Sequence, residues 1–294
     1  MRYNLRQIEC FAALAETRHF GNAANKLNMT QPAFSRQIMG LENAIGFKVV
    51  DRTSNRVALT NAGHSFLEGS TKALKILEKS ERTAKLVANG LTESLRLGHT
   101  DLAMFAELPR ILNRFQEKFP KVFVESFQGF TDDIIQKIKA DELDFGIVTG
   151  PIKIKELESR VAFTHGFIVA AWKGHPFERK KNITLRDIAQ EKLIFGSAQH
   201  WNAFMFHVNE ILRKSTIKPN IFEGAFKIDG VLGLVAEKMG ITIYADCIQN
   251  FHRRDVIFRP VSDVNYRLPT VAVWRKGDTS PNVGSFIKCM GLKN

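Results

Sequence analysis

The feature that most constrains this chain is a change of pattern near Asn89-Gly90. Before it, apolar residues recur at helical spacing; after it, short strands alternate with helices. A chain that switches period in this way builds a helical unit and a separate α/β unit. In the first part, Leu5, Ile8, Phe11, Ala12, Leu14 and Ala15 mark a helix. A short helix is predicted from Gly21 to Leu27. After a break at Asn28-Met29-Thr30, another runs from Gln31 to about Ala44. Thr30 suits an N-cap, and Pro32 is tolerated in a first turn whose amides lack intrahelical partners. Phe47–Leu59 alternates as a small hairpin turning at Thr53-Ser54-Asn55. Thr60 then caps a long helix reaching Val87 or Asn89. Within it Phe66, Ser70, Ala73, Leu77, Ser80, Ala84 and Val87 alternate at four- and three-residue spacing, a seam for a partner helix. An amphipathic helix lying on its own domain is the alternative.

From Ser94 the predicted elements are a strand at Leu95–Gly98, one helix at Ala103–Phe119, a strand at Val122–Phe127, a helix at Asp132–Ala140 and a strand at Phe145–Val148. A second set occupies Phe163–Ala171, Leu193–Phe195, Phe204–Lys214, Asn220–Glu223, Gly230–Met239 and Ile241–Tyr244. Arg267–Trp274 and a helix near Gly284–Met290 close the chain. The alternation implies a parallel α/β sheet. Two halves joined around Gly150–Arg160 and near Val261–Leu268 place a cleft between them.

Charge adds a direction. The chain of 294 residues carries a net charge of +12, which favours a polyanionic partner. Residues 1–90 hold 13 basic and 7 acidic side chains, against 29 and 23 in the remaining 204, so the front third has about twice the charge density. Cys10, Cys247 and Cys289 are too few and too scattered for a disulfide framework or a CxxC site. The eight histidines form no metal-binding pattern; His200 and His207 suit surface or packing roles. No stretch approaches the roughly 18 apolar residues of a membrane helix. The N-terminus lacks a signal peptide's apolar core, so the expected location is the cytoplasm, with no membrane partner. No cofactor motif is present.

The helix at Gln31–Ile45 can be tested by counting at about 100° per residue. Phe34, Ile38, Leu41 and Ile45 fall within roughly 60° of arc on that count. Opposite them lie Pro32, Ser35, Arg36, Met39 and Asn43. A hydroxyl and a guanidinium on an outward face can approach phosphates and base edges, although any small helical domain has a solvated face. The exact residues say more. Phe11, Phe20, Ala23-Ala24, Leu27, Thr30-Gln31-Pro32-Ala33, Ser35, Ile38 and Leu41-Glu42 form one run. It continues through Gly46, Arg52, Arg56, Leu59-Thr60 and Ala62-Gly63. This run resembles the LysR-type transcriptional regulators, with Thr30 in place of the commoner serine and Val50 where phenylalanine is usual.

The resemblance implies a winged helix-turn-helix over residues 1–59, a linker and dimerisation helix over 60–92, and an effector domain over 93–294. That effector domain is expected to resemble periplasmic binding proteins, with one α/β subdomain from 93–160 and 267–294 and the other from 161–266. Thr30, Gln31, Pro32, Ser35 and Arg36 are then the groove-facing group, and Arg52 and Arg56 the wing contacts. Pairing of Arg52 with Glu42 or Asp51 is its alternative role. Arg56→Ala is expected to weaken DNA binding evenly across sequences. The implied partners are promoter DNA, RNA polymerase, a small organic effector such as an aromatic or anionic acid, and further copies of the chain as a dimer of dimers.

Leu97-Gly98, Leu108-Pro109, Phe119-Pro120, Gly129, Leu143-Asp144 and Gly233-Leu234-Val235-Ala236 carry the resemblance onward. Ligands in open α/β sheets bind beyond strand carboxyl ends, near helix N-termini. The candidate cleft residues are therefore His99-Thr100-Asp101 after the first strand, with Leu102 at the helix start beside them, Thr131 at a helix start, Thr149 and Ser197 at strand ends, and Lys227. Each threonine has capping as its alternative, and Lys227 has solvation. Leu102 departs from the family, where a small polar residue often stands, and so does Ile241–Asp246, where an apolar run ending in proline is usual. Two other function classes remain open: a cytoplasmic small-molecule-binding protein without a DNA target, and an enzyme using the cleft. No GxGxxG, GxxxxGK[ST] or GxSxG motif supports the second.

Overall fold

Asn4 begins the chain's first ordered structure: its side chain accepts the Gln7 amide while Gln7 returns a bond to the Asn4 amide, a complete capping box. In the computed structural model, residues 2–53, 56–91, 93–214, 220–224 and 227–292 are described. They divide into two compact units, residues 1–90 and 91–294.

The first unit comprises α1 (Leu5–Thr17), α2 (Phe20–Lys26), α3 (Gln31–Ile45), β1 (Val50–Thr53), β2 (Arg56–Leu59) and α4 (Asn61–Ala88). Helix α1 stops where Arg18 adopts a left-handed conformation, and the α2–α3 turn uses Asn28 in the same way. Phe11, Leu14, Phe34, Ile38 and Leu41 are fully buried in one cluster, which carries the unit. Each contributes about 1.5–3 kcal/mol on burial. The two wing strands pair antiparallel, Val50 opposite Leu59 and Thr53 opposite Arg56. Thr60 caps α4 as expected, accepting the Gly63 amide at 2.8 Å. The expected turn residues Ser54 and Asn55 lie outside the described residues.

The second unit begins with β3 (Glu93–His99), α5 (Asp101–Phe105), α6 (Leu108–Lys118), β4 (Val122–Gln128), α7 (Thr131–Lys139), β5 (Phe145–Thr149), β6 (Leu157–His165) and β7 (Phe167–Trp172). It continues through α8 (Leu185–Ile188), β8 (Lys192–Gly196), α9 (Ala198–Lys214), β9 (Asn220–Gly224), α10 (Ile228–Ala236), β10 (Thr242–Ala245), β11 (Val256–Pro260), β12 (Leu268–Arg275) and α11 (Pro281–Cys289). One five-stranded sheet has the order β4-β3-β5-β12-β6. Its β3 pairs are parallel, whereas β12 runs antiparallel to β5 and β6, so the sheet is mixed rather than wholly parallel. The second half holds β10-β7-β11, antiparallel, and the parallel pair β8-β9, bridged at Leu193 and Ile241.

Three predicted elements are corrected. The single helix at Ala103–Phe119 is two, because Pro109 in the first turn of α6 has no amide to donate to the Phe105 carbonyl, which accepts Asn250 Nδ2 instead. The strand at Phe163–Ala171 is also two. All of β6 belongs to the first sheet, and the chain crosses at Gly166 into β7 of the second half. Helix α9 starts at Ala198, six residues before the expected Phe204. Strand β11 and helix α8 were not anticipated.

Candidate functional site

The exposed face of α3 is built by what it buries on the other side. Phe34, Ile38 and Leu41 lock one face into the core, leaving Gln31, Pro32, Arg36, Met39 and Asn43 exposed and Ser35 half-buried. Thr30 is exposed at the N-cap but makes no side-chain capping bond, so its hydroxyl is open to another partner. These positions share the N-terminal, outward end of the helix. Arg52 and Arg56 fall on β1 and β2, while their side chains lie outside the described residues.

Glu42 is the residue of α3 whose part the helical count did not reveal. It is buried, and its carboxylate accepts the amides of Val49 at 3.1 Å and Val50 at 3.4 Å, with Lys48 Nζ at 2.8 Å. Two of these residues also anchor α4: Val49 O accepts the Thr60 amide, and Lys48 O accepts the Thr60 hydroxyl at 2.8 Å. A Cβ on Gly63 would stand 2.1 Å from Val49 O. Helix α3, the wing and helix α4 therefore meet at residues 48–50. Along α4, Phe66 and Ser70 are covered within the unit. Beyond them the predicted seam is uncovered: Leu77 is 50% exposed and Val87 58%, and Ala73, Ser80 and Ala84 are exposed as well. Ion pairs Glu68–Lys72 and Glu81–Lys85 run along the helix.

In the second unit a cavity of about 170 Å³ opens between the two halves. Its apolar walls are Phe127, Phe130, Trp201, Phe204 and Leu102. Of the predicted cleft residues, Thr100, Asp101, Leu102, Thr131, Thr149 and Lys227 all line it; His99 and Ser197 do not. Ser197 instead starts α9, its carbonyl accepting the amides of His200 and Trp201. Those two side chains reach the cavity in its place. Leu102 is buried among the apolar residues of the second half.

Thr100 holds the N-cap position of α5 without a side-chain capping bond, and Thr131 is not a cap. Thr131 is the first residue of α7, behind an N-cap at Phe130, and its hydroxyl accepts the Thr149 amide at 3.3 Å, tying β5 to α7. Thr100 precedes α5 without a capping bond; it is 6% exposed and its hydroxyl oxygen is buried with no hydrogen-bond partner. Beside it, Asp101 Oδ1 accepts the Leu102 amide at 2.8 Å and the Tyr244 hydroxyl at 3.2 Å. Burial pushes the Asp101 carboxyl up, opposed by these two bonds and by the charge of Lys227. Tyr244 is raised well above its ordinary value by burial and by Asp101. Lys227 is exposed at the N-cap of α10.

Several bonds cross between the halves. Asn202 donates to Asp132, Asn250 Nδ2 to Phe105 O at 2.9 Å, and Tyr244 to Asp101. His207 is wholly buried: Nε2 meets Gly150 O at 2.5 Å and Nδ1 meets Tyr266 Oη at 2.6 Å. Burial lowers its pKa, and the neutral ring with Nε2–H donating and Nδ1 accepting satisfies both contacts. His200 packs on Phe130 with ring centroids 5.0 Å apart, so it combines packing with a place at the cavity. Asp101 and Tyr244 lie 143 residues apart, and neither carries a local sequence signal of the contact. Among the described residues no group of three or more His, Cys, Asp or Glu could hold a metal ion, and no helix is long and apolar enough to cross a membrane.

Comparison with known proteins matches both units. Residues 5–64 match the bacterial regulatory helix-turn-helix protein, lysR family, and residues 88–291 match the LysR substrate binding domain. The HTH-type transcriptional regulator AlsR of Bacillus subtilis is 30% identical over 283 residues, covering 96% of this chain and 94% of that protein. The Hca operon transcriptional activator HcaR of Escherichia coli is 30% identical over 286 residues, covering 96% and 95%. Among solved structures, full-length CbnR complexed with its target DNA superimposes with a TM-score of 0.75 at 21% identity, covering 98% of this chain and 99% of that one. Full-length BenM gives a TM-score of 0.62 at 25% identity, covering 98% and 95%.

Proposed function

This chain belongs to the LysR-type transcriptional regulators, and from that premise we propose how its two units divide the work. Helix α3 enters the major groove with Gln31, Pro32, Ser35 and Arg36 toward the bases, Thr30 at its phosphate-facing end, and Arg52 and Arg56 on the flanking backbone. The observation that carries this is the outward face of α3, polar at its N-terminal end and held by three fully buried apolar residues on the reverse. The cavity of the second unit binds a small effector without turning it over. Binding biases promoter occupancy and contact with RNA polymerase through unequal affinity for two states. These events take place in the cytoplasm.

Footprinting on the DNA upstream of the chain's own gene, at physiological salt, tests the reading. A protected near-palindrome with half-sites a whole number of turns apart is expected. Uniform, salt-sensitive coverage would reduce the protein to a non-specific DNA binder. On that site Arg36→Ala is expected to cost about 1–3 kcal/mol, a loss of roughly five- to 150-fold, and to relax sequence preference. Equal losses on specific and random DNA would remove Arg36 from the reading group.

The uncovered face of α4 supports pairing of two chains along that helix, and the pairs join as dimers of dimers. Leu77→Glu removes a leucine worth about 1.5–3 kcal/mol of burial from the seam and sets two carboxylates against each other. Sedimentation at micromolar concentration should then show the mass falling toward a single chain. An unchanged mass would place the oligomer contact elsewhere.

A further inference from the structure

The cavity of the second unit carries more information than its location. Its volume, about 170 Å³, is close to the ~150 Å³ apolar cavity that admits benzene, so one six-membered ring with a small substituent fills it. Phe127, Phe130, Trp201 and Phe204 supply aromatic walls on several sides. Among the polar residues of the lining, Thr100 has a buried hydroxyl oxygen with no hydrogen-bond partner, and its chain neighbour is Asp101.

The charges there oppose an acid. Half-buried Asp101 and exposed Asp133 line the cavity, against one exposed lysine, Lys227. A ligand carboxylate seated on the Thr100 hydroxyl would face the Asp101 carboxyl in a setting where water screens poorly. Asp101 already accepts two protein hydrogen bonds and is an acceptor by chemistry when ionised. Thr100 can accept as well as donate. Thr100 Oγ1 is the atom left without a partner, and a donor from inside the cavity would satisfy it beside the Asp101 carboxylate.

Resting on the reading that this cavity is the effector site, we infer that its ligand is a single-ring aromatic bearing a hydroxyl or amino donor, such as a phenol or an arylamine, rather than an aromatic carboxylate. The ring stacks among the phenylalanines and Trp201, and its donor meets Asp101 and the Thr100 hydroxyl. The departure of this stretch from the family's small polar residue is then a change of specificity. Leu102 turns into the apolar core of the second half, and Asp101 supplies the polar contact instead.

Isothermal titration of the full chain with phenol, aniline and benzoate tests it. Phenol or aniline is expected to bind at least tenfold more tightly than benzoate; whichever leads identifies an oxygen or a nitrogen donor. Asp101→Asn keeps an acceptor for the Leu102 amide and Tyr244 while adding a donor, and should bring benzoate level with or ahead of phenol. Thr100→Val, which changes no charge, should weaken phenol about tenfold by removing the hydroxyl its donor meets; thermal melting checks that both variants fold. Ala203→Phe fills the cavity. Benzoate binding most tightly to the native chain, and lost in Ala203→Phe, would overturn the ligand class while leaving the cavity as the site. Binding that survives Ala203→Phe would overturn the cavity reading itself. No binding of any of the three probes would overturn the inference.

Discussion

Glu42→Ala is expected to abolish specific DNA binding while leaving residues 91–294 folded. Its carboxylate is the partner of two buried backbone amides, Val49 and Val50, at the point where the chain leaves α3 for the wing. An orphaned buried donor costs about 1–3 kcal/mol, so losing both costs about 2–6 kcal/mol. The Lys48 ion pair adds little, because that lysine is largely exposed. Against the 5–15 kcal/mol that holds a typical domain together, a loss of this size melts the wing and loosens the seat of the reading helix. Hydrogen exchange reads it directly: peptides spanning α3 to β2 should lose protection, while those spanning β5 and β12 should not. Glu42→Gln retains an acceptor and should fall between. Native protection and native operator affinity in Glu42→Ala would show that the wing does not depend on this anchor.

Gly63→Ala acts on the same junction from the other side. A methyl at this position would meet Val49 O at 2.1 Å and two further Val49 backbone atoms at 3.0 and 3.2 Å. Backbone cannot rotate aside as a side chain can, so α4 must lift off the wing. The Thr60–Val49 bond and the Thr60 cap are strained with it. Overpacking of this kind costs about 1–3 kcal/mol, and more where the obstacle is main chain. For a unit of this size each kcal/mol lowers the melting temperature by about 4–8 °C. A fall of roughly 10–20 °C is therefore expected in the melting of the first unit, with weaker dimerisation because α4 carries the uncovered seam. A melting curve within a few degrees of the native chain would mean that α4 is free to shift at its start.

The residues that could be placed from the sequence are those whose signal is local. The buried stripe Phe34, Ile38, Leu41 is a period, and Thr60 before a long apolar seam is a cap; both hold in the structure. Glu42 lies one residue from that stripe, yet its partners are amides in the next element, and no spacing rule reports a backbone donor. The α5–α6 break was legible in Leu108-Pro109 but outweighed by continuous apolar spacing, and the crossing at Gly166 was masked by strong β-formers on either side. At the cavity, Thr100, Asp101, Thr131 and Thr149 follow from the rule that ligands gather at strand ends. Asp101 accepts from Tyr244 across 143 residues, and His207 reaches Gly150 across 57 residues. Contacts of that separation depend on how the two halves close, which is a property of the assembled sheets.

One short helix ties those halves together in an unequal way. In α5, Leu102 is packed among the apolar residues of the second half, while its neighbour Ala103 sits in the core of the first. The helix is a rivet driven through both plates. Parting the plates must shear it on one side, and the two sides differ in strength. On the side of the second plate it is held by Leu102, a leucine worth about 1.5–3 kcal/mol, and by the Asp101–Tyr244 and Phe105–Asn250 bonds. On the side of the first it is held by the chain itself: β3 ends at His99, α6 begins at Leu108, and the Thr100 amide donates to Ile147 O. The rivet should therefore stay with the first plate, leaving Thr100 and Asp101 beside Thr131 and Thr149, and a ligand bridging that group to Trp201 and Phe204 would weigh on the balance between parted and closed plates.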